Sequence, residues 1–319
     1  MEPAIVTRGL TRSFDGRLAV DHLDLEVPQG IVFGFLGPNG AGKTTTIRLL
    51  LGLLEPTSGS AKVLGFDLSQ SHRIRERVGV VLEQPGLYPR MSAWENMEFF
   101  AAAYKIPPHL REKRITELLQ HLGLWERRHD PVATFSKGMT QKLAFARSLL
   151  HNPSLIFMDE PTTGLDVPGA AALREDIAEL VRETNATIFL STHNMTEVEK
   201  MCDLVGVINE GRLLTVGSPE DLRTRASQPR LRIAGRKFNT RAIESIRKLP
   251  GVTEVTSNGN ELYVTMEEGA GAHAVIRTLT EQGAEIDEVT RVASGLEDAF
   301  LAILREDQEG RKDSAGKRD

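Results

Sequence analysis

Apolar and polar positions fall into two rhythms along the chain. LAVDHLDLEV, Leu18 to Val27, alternates as a half-buried strand does, and AIVTRGLTRSF before it also reads as β. IVFGFL (31–36), VGVVL (78–82), LIFMD (155–159) and ATIFLS (186–191) are short, nearly unbroken apolar runs suited to strands buried on both faces. Helical spacing predicts helices over Thr44–Leu51, Trp94–Tyr104, Leu110–Leu122, Lys137–His151 and Gly169–Glu183, and LVGVIN and RLLTV add two later strands. Strands alternating with helices imply a mainly parallel sheet with helices packed around it.

The rhythm changes near Ala226-Ser227-Gln228-Pro229. RLRIAG, AIESIRKL, TEVTSNG, ELYVTM, AHAVIRTLTEQ and EIDEVTRV follow in a βαββαβ order, then the helix GLEDAFLAIL. That order is the ferredoxin-like one. The expected division is therefore a first domain over 1–227 with a helical subdomain over about 85–150, a small α+β domain over 228–305, and a disordered tail over 306–319, where apolar residues are almost lacking.

Composition narrows the classes. A chain of 319 residues suits about two domains, and 40% hydrophobic residues are enough for a sizeable core. A net charge of −5 gives no global attraction to nucleic acid or anionic lipid. One cysteine, Cys202, cannot form an intrachain disulfide and fits a reducing compartment. MEPAIVTRGLTRSF carries no apolar core of a secretory signal, and no apolar run approaches the ~18–20 residues of a membrane helix. A membrane role would require a partner.

GPNGAGKT, between a buried strand and a helix, fits GxxxxGK[ST] in the setting that pattern needs. Its glycines let backbone N–H groups converge on phosphate oxygens at the positive end of the helix. The candidate nucleotide-binding residues are Gly37, Pro38, Asn39, Gly40, Ala41, Gly42, Lys43, Thr44 and Thr45. Lys43 is placed to meet the β- and γ-phosphates of a nucleoside triphosphate, and Thr44 to offer a hydroxyl to Mg²⁺. LIFMDEP ends a second buried strand in two carboxylates. Beside a phosphate loop, Asp159 reads as a Mg²⁺ holder and Glu160 as the group that polarises the attacking water; alone, the pair would read as surface acids in a turn.

With these motifs and FSKGMTQKLAFARSLLHNPSLIFMDEPTTGLD, the chain resembles an ABC (ATP-binding cassette) ATPase over residues 1 to about 225. The resemblance implies the fold, a P-loop NTPase with a mixed sheet, a RecA-like core and a helical subdomain, followed here by the ferredoxin-like domain. It also implies a homodimer, or a heterodimer with a related ATPase, that sandwiches two ATP. Ser136 and Gly138, at the start of a helix, would serve the ATP of the other subunit; Asp166 would link the two sites; His193 would touch the γ-phosphate; Phe14 would stack on adenine, though a core phenylalanine remains the alternative. The signature usually reads LSGGQ and here reads FSKGM, so the contact of the glutamine side chain is lost. In VVLEQPGLYP, either Glu83 or Gln84 would meet the metal.

The implied function is the ATP-hydrolysing subunit of a transporter, peripheral on the cytoplasmic face of the cell membrane and docked on an integral membrane permease through residues 85–96. GVVLEQPGLYPRMSAWEN, FSKGMTQKLA and the appended domain are similar to exporters of the drug and antibiotic-resistance type, such as daunorubicin- and bacitracin-resistance ATPases. Nucleic acid is not an expected partner. The alternatives are a soluble ABC ATPase acting on ribosomes or DNA, and an importer subunit. One P-loop, no sustained heptads and no basic patch count against the former, while import and export share this chemistry.

Overall fold

The computed structural model describes residues 2–225, 230–267, 270–292 and 295–315. Contacts divide the chain into two compact units, Met1–Pro219 and Glu220–Asp319. The boundary expected after residue 227 lies outside the described residues.

In chain order the first unit carries β1 (Ile5–Phe14), β2 (Arg17–Val27), β3 (Val32–Leu36), α1 (Lys43–Leu50), β4 (Ser58–Val63), β5 (Phe66–Asp67), α2 (Ser71–Arg75), β6 (Val78–Val81), α3 (Ala93–Ala103), α4 (Pro108–His121), α5 (Lys137–Leu149), β7 (Leu155–Asp159), α6 (Val167–Thr184), β8 (Thr187–Thr192), α7 (Met195–Met201), β9 (Leu204–Asn209) and β10 (Arg212–Gly217). Then come α8 (Pro219–Arg225), β11 (Arg230–Arg236), α9 (Thr240–Arg247), β12 (Val252–Asn258), β13 (Glu261–Met266), α10 (Ala272–Glu281), β14 (Glu285–Val292) and α11 (Leu296–Ala315).

The central sheet has the order β10-β9-β3-β8-β7-β6, parallel except for the β9–β10 pair. Its middle strands β3, β7 and β8 are buried at every position, which is why they read as unbroken apolar runs. In-register pairing sets Phe33, Phe189 and Phe157 side by side, and the Phe189 ring lies 5.5 Å from each of the other two and 5.3 Å from Phe35. This aromatic row fixes the register of the strands that carry the chemistry. A separate antiparallel sheet, β2-β1-β4-β5, takes in the two strands expected at the start of the chain and adds β4 and β5, which the sequence reading did not predict. β4 was missed because only Ala61 and Val63 of SGSAKV turn inward, leaving a Gly/Ser-rich segment with little apolar signal.

Caps set several helix starts. Ser92 and Glu95 form a reciprocal capping box at α3, with Ser92 N–H donating to Glu95 Oε2 at 2.7 Å and Glu95 N–H to Ser92 Oγ at 3.1 Å. The Ser92 N–H, and then the Ser92 side chain, hold the Glu95 carboxyl below the usual range. Helix α6 begins at Val167, two residues before the predicted start, because Asp166 accepts the Gly169 N–H at 3.1 Å and Pro168 suits a first turn.

In the second unit the order is β12-β13-β11-β14 with every neighbouring pair antiparallel, the ferredoxin-like arrangement. Leu231, Ile233, Leu262, Val264 and Met266 of the sheet pack with Ala242, Ile246, Val275 and Leu279 of α9 and α10. The disordered tail expected from residue 306 is corrected: α11 continues to Ala315. Its charged residues can pair along the helix, as Arg311 and Asp307 do at 2.8 Å one turn apart, so sparse apolar content does not end the helix. Residues 316–319 lie outside the described residues.

Phe189→Ala should destabilise the chain by about 3–5 kcal/mol, since it removes the centre of the aromatic row and leaves a cavity. Equilibrium denaturant unfolding checks this; a loss under about 1 kcal/mol would contradict the packing described.

Candidate active site

β3, β8 and β7 are neighbours in the sheet, so the loops leaving their carboxyl ends meet in one crevice. After β3 the chain turns at Gly37, where an added Cβ would lie 2.4 Å from the Ile208 carbonyl oxygen. At Gly42, φ is +105° and a Cβ would lie 2.4 Å from the Ala19 carbonyl oxygen, so only glycine fits both the turn and the space. No side chain caps α1, which leaves its positive end to an anion. Lys43 is buried at the centre of this loop; its Nζ donates to Gly37 O at 2.6 Å and Pro38 O at 3.1 Å.

Lys43 Nζ also lies 3.2 Å from Glu160 Oε1, which makes no hydrogen bond. Glu160 follows the end of β7 with φ at +51°, a strained setting for a residue with a side chain, and such strain collects at functional sites. Its N–H donates to Ser191 O at 3.0 Å. The second carboxylate oxygen lies 2.8 Å from His193 Nδ1 and accepts from the Thr163 hydroxyl at 3.2 Å. His193 and Glu160 thus meet at the crevice.

Asp159 is buried, accepting from Thr44 Oγ1 at 2.8 Å on one oxygen and from the Ser191 hydroxyl on the other. The crevice holds about 350 Å³, with Asn39, Gly40, Gly42, Lys43, Thr44, Thr45, Glu83, Glu160 and His193 on its walls. Glu83 is on that wall and Gln84 is not. Thr44, Asp159 and Glu83 give an all-oxygen donor set of the kind Mg²⁺ takes. Among the described residues no group of three or more His, Cys, Asp or Glu could hold a metal.

A second cleft of about 380 Å³ opens at the start of α5, between Ser136, Lys137 and Gly138 on one side and Gly164, Leu165 and Asp166 on the other. Ser136 caps α5 by accepting the Met139 N–H at 3.2 Å. Phe14, placed by the sequence at the adenine, is 41% exposed, with the Arg12 guanidinium 4.5 Å from its ring centre, and it is not on the wall of the first crevice.

Three residues were missed. Ser191 ends the apolar run of β8 with a hydroxyl, and its place in that run was the available signal. Glu197 is buried on α7 and accepts from the Thr162 hydroxyl; burial, with the Glu160 charge adding to it, pushes its carboxyl up. Arg147, on α5, carried no signal in its spacing.

A family profile described as ABC transporter matches residues 20–163, and one described as ATP-binding protein DrrA1-3-like, C-terminal domain, matches residues 217–303. The chain is 33% identical over 310 residues, 97% of its own length and 98% of the other's, to the uncharacterized ABC transporter ATP-binding protein YhcH of Bacillus subtilis (strain 168). The chain belongs to the ABC transporter ATP-binding proteins. It is also 44% identical over 215 residues, 67% of this chain and 69% of the relative, to the bacitracin transport ATP-binding protein BcrA of Bacillus licheniformis. Among solved structures, cbiO1 from Clostridium perfringens, part of the ABC transporter complex cbiONQ, matches 70% of this chain and 92% of its own with a TM-score of 0.66 and 28% identity. This ABC ATP-binding protein is an ATPase of an ABC transporter.

Glu160→Gln should leave ATP binding within about threefold of wild type and lower turnover at least ~100-fold, the range of a lost general base. Binding of a fluorescent ATP analogue and phosphate release check both. Wild-type turnover would contradict the role given to Glu160.

Proposed function

We propose that this ATPase drives a separate integral membrane permease that exports a small molecule of the drug or antibiotic type. Two copies, or one copy and a related ATPase, enclose two ATP between them on the cytoplasmic face of the membrane. The observation that carries the ATP chemistry is the meeting of Lys43, Glu160, His193 and the Thr44–Asp159 pair in one crevice. Thr44 and Asp159, with Glu83 beside them, would hold Mg²⁺, which would supply positive charge against the triphosphate. Glu160 accepts the proton of the attacking water; Lys43 binds the γ-phosphate and His193 orients Glu160.

The cleft at Ser136 and Gly138 supports a shared site. It is a second helix start with an anion-binding character in a chain that has one P-loop, and it would serve the other subunit's ATP. Charge stabilisation supplied in trans contributes ~10³–10⁵ in rate in other NTPases, so a single copy should be nearly inert.

Export is supported by the similarity to a protein described as a bacitracin transport ATP-binding protein and by the DrrA1-3-like profile over the second unit. Among the described residues no helix is long and apolar enough to cross a membrane, and the proposal gives the membrane path to the permease. Tyr88 and Phe99, each 46% exposed and packed edge to face at 4.9 Å, offer that permease an apolar foothold.

Purification of the tagged chain from gently solubilised membranes should bring down a stoichiometric integral membrane protein with several apolar helices. Recovery of ribosomes or DNA instead, with the chain missing from the membrane fraction, would overturn the transport reading.

A further inference from the structure

The segment that joins the crevice to this aromatic surface is held by two side chains, Arg147 toward the crevice and Asn96 at the far end. Residues 83–87, between β6 and the loop before α3, make no backbone–backbone hydrogen bond among the described residues. What they do have is Arg147. Its Nη1 donates to Pro85 O at 2.7 Å and to Gly86 O at 3.2 Å, while Nη2 donates to Val80 O at 3.0 Å on β6. The guanidinium carbon also sits 4.9 Å from the centre of the Phe100 ring, which stacks on Tyr88 at 6.1 Å.

Arg147 makes no ion pair with a carboxylate among the described residues. Its charge is spread over three carbonyl dipoles and an aromatic face, and burial lowers its proton affinity. Such an arrangement draws on the planar fork of arginine, which a lysine ammonium cannot reproduce. The residue stands in the last turn of α5, the helix that Ser136 caps, eleven positions and roughly 16 Å further on. The far end of the segment is pinned separately: Asn96, fully buried on α3, accepts the Tyr88 N–H at 2.8 Å and donates to Tyr88 O at 3.1 Å.

We propose that Arg147 is a positioning residue that ties the Glu83 segment to α5, so that what binds in the ATP crevice and how the helical region stands are set together. Glu83 is on the crevice wall, Tyr88 is on the exposed surface, and the carbonyls between them hang on a side chain of the helix whose start faces the second cleft. The inference rests on the ATPase reading above and deepens it by naming the joint through which nucleotide binding reaches the helical region.

The test uses the full chain as wild type, Arg147→Lys and Gly86→Ala. Gly86 has φ at +62°, which alanine adopts only with strain, and it stands beside Arg147 Nη1, so the second variant disturbs the same segment from the loop side. Trp94 and Trp125, with ring centres 6.4 Å apart, are the only tryptophans and report on the helical region. Three readings are compared: circular dichroism for folding, binding of a fluorescent ATP analogue, and the change in tryptophan emission when ATP saturates the chain.

Both variants are expected to fold and to bind the analogue within about threefold of wild type, while the emission change and turnover fall roughly tenfold, near the upper end of coupling changes made by single residues. A folded variant with the emission change and turnover of wild type overturns the proposal. So does failure of both variants to fold, which would assign the contact to stability; if one fails, the other decides. No emission change in a wild type that binds the analogue also overturns it. A wild type that does not bind the analogue overturns instead the ATPase reading beneath it.

Discussion

The 3.2 Å approach of Lys43 to Glu160 depends on strand register more than on either residue. β3 and β7 both pair with β8, so the P-loop, the Asp159-Glu160 corner and His193 leave the sheet at one level only if those three strands stay aligned. The Phe33–Phe189–Phe157 row keeps that alignment, because a slip by one residue would turn every side chain to the opposite face. Glu160 then needs a left-handed backbone to face the lysine, a local cost that the surrounding packing can hold. The catalytic corner is therefore a consequence of the core.

Legibility in the sequence followed how local each signal is. The P-loop is a contiguous motif, and beside it the apolar strand ending in Asp159-Glu160 takes on a chemical reading that it lacks alone, so both were readable without a structure. The choice between Glu83 and Gln84 was not, because both are exposed polar residues in a loop and only the path of the chain puts Glu83 on the crevice wall. Phe14 could be either a stacking or a packing residue on type alone; its ring lies under Arg12. β4 escaped because its inward side chains are few and small, and the end of α11 because a charged segment reads the same whether it is coil or helix. Arg147 was invisible for a different reason. Its partners are backbone carbonyls, which leave no complementary residue in the sequence.

The proposed function gives a phosphate to each of two helix starts, α1 after Gly42 and α5 after Ser136, in a chain with one lysine in a P-loop. The economical account is that each copy lends its α5 start to another copy's nucleotide, which makes hydrolysis a property of the pair and gives the permease a closure and an opening to follow. The second unit has its own core and sheet, and no part of the ATP chemistry proposed here draws on it.

The measurement that bears most directly on this account is specific ATPase activity as a function of the concentration of the purified chain, with oligomeric state followed by light scattering in the same samples. Activity per molecule should rise in proportion to concentration while monomer dominates and level off as dimer saturates. A constant activity per molecule, maintained where light scattering finds only monomer, would show that one copy completes the site alone and would contradict the shared-site account.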